Sequence, residues 1–222
     1  MEQLRKTSII VGLLFIIATA STLLTWFGFL SIYDANYLTV VAANEIPMIF
    51  AMLLFLTLAA SAVGISVAMY PLLKKYNESL ALGYFAARVF EAIFVVFNVI
   101  CLTSILSLSQ IYITVSSPTT FYIEPSGELW LRLFDWSGIL LDFPFMLSAI
   151  ILNYVLYRTK LVPKWLSLWG LVGGIVYIGY ALPLLFLSLP IEILAAPLGL
   201  QEMALAAWLI IKGFNATTNA VE

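Results

Sequence analysis

Four ionisable residues stand where an apolar chain should not carry them: Arg88, Glu91, Asp142 and Glu202. Each lies inside a run of about 20 or more mostly apolar residues, the length that crosses a bilayer core as a helix. An ionised side chain at the centre of such a helix costs about 2.5–3.5 kcal/mol on insertion scales, so these groups are expected to face a bundle interior. Counting about 1.5 Å per residue, Arg88 lies about 12 Å and Glu91 about 16 Å from the start of their segment. Glu202 and Asp142 each lie about 15 Å from a segment boundary. Three separate helices are thus expected to bring charge to one depth.

Their spacing narrows the chemistry. At about 100° per residue, Tyr84, Arg88, Glu91 and Asn98 share one stripe of a helix, and Asp135, Asp142, Asn153 and Tyr157 share another. Glu91 stands three residues from Arg88, within pairing reach on one helix. Glu202 and Asp142 are candidates for a second contact, across helices. One arginine cannot neutralise three carboxylates, so at least one of Glu91, Asp142 and Glu202 is expected to carry a proton at neutral pH.

Three readings follow. The first is a polar site that binds a proton or a small or amphipathic ligand, with or without transport. The second is a metal-independent enzyme that uses paired carboxylates as acid and base on a lipid-like substrate, although no nucleophile or cofactor motif identifies one. The third is a charge network that only fixes helix register. Gln201, beside Glu202, joins the ligand candidates. Asn44, Glu45 and Asp135 are candidates at the outer entrance, where a solvated helix start also explains the acid. Gly170 and Gly174 form a small-xxx-small pair that reads as close helix packing. Tyr177 and Tyr180, on the same segment, suit either packing or a site.

The rest of the chain must position these residues in lipid. Of its 222 residues, 63% are hydrophobic and 10% charged, against about 45–50% and about 25% in soluble domains. A single all-α integral membrane domain over residues 1–222 is expected. A formal net charge of −2 gives no basic field for nucleic acid. With no histidine and one cysteine, Cys101, the sequence lacks the residues of most zinc, haem and di-iron sites and any disulfide framework. No cofactor and no metal are expected. Membrane lipid is the expected surrounding, and a homo-oligomer is one arrangement that would widen the modest room six helices leave for transport.

Six apolar segments qualify as spans, at about 8–30, 46–70, 80–106, 133–157, 165–187 and 191–214. Pro71 is expected to stop the second and Pro190 the fifth, and Pro197 to kink or shorten the sixth. No helix break is expected at mid-depth. The apolar run behind the basic start is long enough to be a first span rather than a cleaved leader. A long outer loop is expected over about 107–132, broken by Pro118 and Pro125, with a helix starting near Ser126. Arg5, Lys6, Lys74, Lys75, Arg158, Lys160, Lys164 and Lys212 fall on one face of a six-span arrangement, and Arg132 lies opposite. By the positive-inside rule both termini are expected in the cytoplasm, in a plasma membrane.

Several stretches resemble the DUF4386 family of small prokaryotic membrane proteins of unknown function. They are Ala43-Asn44-Glu45, the run from Tyr70 to Tyr84 leading into Arg88 and Glu91, and Asp135-Trp136. The run from Leu156 to Leu166 continuing to Gly170, Leu200 to Met203, and Trp208 to Phe214 complete the set. The resemblance spans nearly the whole chain and implies the same span count, but no activity. Asp142 stands outside those motifs.

Overall fold

In a computed structural model, residues 2–115, 120–187 and 192–215 are described. Among them every regular element is helical. They are α1 (Glu2–Phe29), α2 (Tyr37–Ala43), α3 (Glu45–Tyr76), α4 (Glu78–Tyr112), α5 (Thr120–Thr159), α6 (Lys164–Leu187) and α7 (Ala196–Ile211). Short 3-10 turns follow α1 and precede α7. α1, α3, α4, α5 and α6 are long and apolar enough to cross a membrane. α7, with 16 residues, is about 24 Å long, shorter than a bilayer core of about 30 Å. The fold is an all-α membrane bundle.

The helices close a ring. α1 packs on α3, α3 on α4, α4 on α5, α5 on α6, α6 on α7, and α7 back on α1. The closing seam is tight because Gly12 has no side chain: a Cβ there would meet Ile210 Cγ1 at 2.7 Å and the Ala206 carbonyl at 2.8 Å. At the same seam Arg5 donates to the carbonyls of Leu209 (3.2 Å) and Ile210 (2.6 Å). Those carbonyls belong to the last turn of α7, which has no further helical donors to offer them. Gly213 completes the stop at φ +79°, a left-handed conformation that suits glycine. The start of α1 and the end of α7 therefore share one end of the bundle, called proximal below. Large apolar side chains such as Phe27, Ile46, Phe90, Ile175 and Ile211 point outward, as expected where lipid is the solvent.

Several expected boundaries move. α3 does not stop at Pro71 but runs to Tyr76. A proline there removes only the bond its own nitrogen would have given to Val67. The stop comes at Asn77, whose backbone closes α3 on Leu73 (3.0 Å) while its side chain accepts from Leu80 N (2.9 Å) to cap α4. The expected long loop over 107–132 is mostly helix, since α4 continues to Tyr112 and α5 begins at Thr120. Ser126 does not start a helix. Its hydroxyl donates back to the Tyr122 carbonyl (2.8 Å) inside one already under way, and Pro125 is absorbed in the same helix. Pro197 does not kink α7 but lies in its first turn, where backbone donors have no helical partner to lose. Pro118, Pro190 and the expected start of the sixth span at Ile191 lie outside the described residues. The short helix α2 was not foreseen. It packs across α4 at the distal end.

Candidate functional site

Arg88 lies inside the ring, at the meeting point of apolar clusters. Tyr84, one turn below it, belongs to a proximal cluster with Phe15, Leu73 and Leu156. Ala92 and Val95, one and two turns above, belong to a distal cluster with Phe29, Phe55 and Phe134. α4 can present Tyr84, Arg88 and Glu91 together because positions i, i+4 and i+7 lie on one helical face.

Four helices enclose the guanidinium. Arg88 Nη1 donates to both Glu91 carboxylate oxygens, at 3.0 and 2.9 Å, and Nη2 lies 3.6 Å from Glu202 Oε1 on α7. Arg88 Nε donates to the Tyr84 hydroxyl at 3.4 Å. The rings of Phe15 on α1, Tyr84 on α4 and Phe145 on α5 lie 5.7, 5.9 and 5.7 Å from the guanidinium carbon, within range of cation–π attraction. Arg88 and Glu91 are each only 4% exposed. The contact to Glu202 is an ion pair too long for a hydrogen bond, so it is the loosest of the charged contacts.

Asp142 is buried but does not join this group. It accepts a hydrogen bond from the Tyr177 hydroxyl on α6 at 2.6 Å. The expected contact between Glu202 and Asp142 is replaced by two separate pairings, Glu202 with Arg88 and Asp142 with Tyr177. Phe145 links the two centres: it faces Arg88 and makes an edge contact with the Tyr177 ring, 5.4 Å between centroids. Tyr177 in turn contacts Tyr180 at 5.1 Å.

A third polar junction joins α5, α6 and α7. Gln201 Nε2 donates to Asn153 Oδ1 (3.1 Å) and to the Leu166 carbonyl (3.3 Å). Asn153 Nδ2 donates to Ala149 within its own helix (2.9 Å). A side chain at Gly170 would overlap the Asn153 amide, and one at Gly174 would meet Ile150 Cγ1 at 2.8 Å. The small-xxx-small pair thus lets α6 approach α5 and makes room for the amide network. Gln201 Oε1 is buried without a protein partner.

The remaining candidates lie elsewhere. Asn98 is buried two turns above Glu91, with Oδ1 unpartnered by protein. Asn44 donates to the Val40 carbonyl (2.8 Å) at the junction of α2 and α3, and Glu45 is exposed at the first position of α3. Asp135 accepts from the Tyr33 hydroxyl at 2.8 Å, tying the 3-10 turn after α1 to α5. None of these four carries the central charge.

Sequence reasoning missed Phe15 and Phe145, whose roles depend on which ring faces the cation, and nothing in an apolar run marks that. It also passed over Pro144 in the middle of α5. A proline between Asp142 and Phe145 removes one helical bond beside the site and was a readable signal. Among the described residues no group of three acidic, histidine or cysteine side chains is disposed to hold a metal.

The chain matches the family DUF4386, described as a domain of unknown function, over residues 10–213, and belongs to it. No curated protein and no solved structure matches it.

Proposed function

We propose that this member of DUF4386 is a membrane protein that binds a proton and a small or amphipathic ligand at the Arg88 centre. The observation that carries this is the charge ratio inside the bundle: Glu91 and Glu202 share a single buried base, Arg88, and a third buried acid, Asp142, pairs with the Tyr177 hydroxyl instead. Three ionised carboxylates and one guanidinium would leave uncompensated negative charge where the surroundings are apolar, which is costly. A proton on one acid relieves it. Of the two acids paired with Arg88, Glu202 is the one expected to take up the proton, because its contact is the longer, 3.6 against 2.9 Å. A protonated Glu202 releases one side of the guanidinium for an anionic group of the ligand. Binding and proton uptake are then linked, and transport would require the same exchange from both sides.

On the count of basic residues, this reading puts both termini in the cytoplasm, and the family resemblance implies the plasma membrane of a prokaryote.

A second reading has its own support. All four charged groups are paired and mostly buried, which suits a network that fixes helix register. Infrared difference spectroscopy in lipid, from about pH 8 to about pH 6, separates the two. The proton-binding reading expects a protonated-carboxyl band that Glu202→Gln alters. Complete ionisation of all three acids across that range rejects it. Native mass spectrometry from mild detergent should then find a bound lipid or metabolite in wild type that Glu202→Gln retains and Arg88→Gln loses.

A further inference from the structure

A second candidate site lies at the distal end, apart from the Arg88 centre. A cleft of about 620 Å³ opens between the α1–α2 connection, α2, the end of α4 and the start of α5. That is within the usual range for small-molecule sites. Tyr37, Tyr112 and Phe121 supply aromatic surface, Glu124 and Glu128 supply carboxylates, and Leu38 and Leu131 supply apolar wall. No lysine or arginine is among the lining residues.

The polar groups are held in a defined way. Tyr112 donates its hydroxyl to Glu124 Oε1 at 3.0 Å. Glu128 pairs with Arg132 at 3.1 Å, one turn further along α5. Glu124 has no basic partner among the described residues, so its charge is unmatched. The Tyr37 hydroxyl is seated against Gly127, where a side chain would overlap it, between Glu124 and Glu128 in the helix sequence. It is buried with no hydrogen-bond partner. Burial, then the charges of Glu128 and Glu124, raise the Tyr37 phenol above its ordinary value.

We propose that this cleft binds an organic ammonium group, held by the faces of Tyr37, Tyr112 and Phe121 and by the Glu124 carboxylate. Aromatic faces favour a large, weakly hydrated cation over a small metal ion, and a carboxylate without a base supplies the opposite charge. The group can arrive on a free amine or on a lipid headgroup, since the cleft lies at the end of the membrane helices, where headgroups and aromatic side chains meet.

The test uses the full chain in nanodiscs of phosphatidylglycerol alone, titrated calorimetrically with choline chloride against sodium chloride of equal concentration. In parallel, nanodiscs with an equal mixture of phosphatidylglycerol and phosphatidylcholine are analysed for lipid retained by the protein. Saturable choline binding points to a free amine, and enrichment of phosphatidylcholine points to the headgroup. Glu124→Gln keeps the hydrogen bond to Tyr112 and removes the charge, and Phe121→Leu removes an exposed ring. Each should weaken the observed binding about tenfold while thermal unfolding stays unchanged. Choline heats no different from sodium chloride with no phosphatidylcholine enrichment overturn the proposal, as does binding unaltered by both variants.

Discussion

Arg88–Glu91 in the middle of the ring and Arg132–Glu128 near its distal end are the same two groups at nearly the same helical spacing. Their distances are also close, 2.9 and 3.1 Å. The side chains differ in exposure: 5% for both partners of the first pair, against 70% and 63% for the second. A tyrosine–carboxylate pair repeats the contrast. Tyr177 donates to Asp142 inside the bundle at 2.6 Å, and Tyr112 to Glu124 at the surface at 3.0 Å. The inner pairs are locked by other helices, whereas each distal acid has one side open to water. Local geometry therefore does not set what such a pair is worth. The inner groups have given up water and depend on each other, and the distal groups can exchange a partner for solvent or a ligand at little cost.

The sharpest way to break this comparison is to remove the base from each pair. Arg88→Gln leaves Glu91 and Glu202 facing each other without a cation, and should cost about 3–5 kcal/mol of stability or prevent folding, measured as unfolding in detergent. A loss no larger than that of Arg132→Gln would mean the inner pair is solvated after all.

Next in size is the packing that holds the inner region. Gly170→Ala drives a methyl group into the Asn153 amide and should cost about 1–3 kcal/mol. Adding Asn153→Ala removes the overlap, so the two costs should not add. Simple additivity in the same unfolding assay would show that Gly170 matters for another reason.

Tyr177→Phe strands a buried carboxylate and should cost about 1–3 kcal/mol, while Tyr112→Phe should leave the unfolding transition in place. Equal shifts would dissolve the distinction between the two acids.

The smallest effect belongs to Arg132→Gln. An exposed pair is worth about 0–1 kcal/mol and weakens further with salt, so its unfolding curve should overlay wild type at high ionic strength. A persistent loss there would reveal burial of this end by lipid or by another copy of the chain.

Much of the site was legible before any coordinates. The Arg88–Glu91 pair follows from a three-residue spacing on a helix, and the inward stripe with Tyr84 from the 3.6-residue period. The packing role of Gly170 and Gly174 follows from the same periodicity. Helix ends were less legible. Pro71, Pro125 and Pro197 are strong local signals, yet each is tolerated where only one backbone bond is at stake, and the stop at Asn77 depends on a side-chain cap. The polar stretch before Arg132 read as loop because sequence shows where apolar character ends, not where a helix does.

By itself the sequence determined the solvent, the class of fold and the residues too costly to leave in lipid. Those conclusions rest on composition and on periodicities that each residue carries with it. Only the tertiary structure decided that Glu202 joins Arg88 while Asp142 goes to Tyr177, and that Phe15 and Phe145 complete the enclosure. The physical reason is that a partner on another helix depends on how that helix is rotated and how closely it packs, which Gly12 and Gly170 set through contacts between residues far apart in the chain.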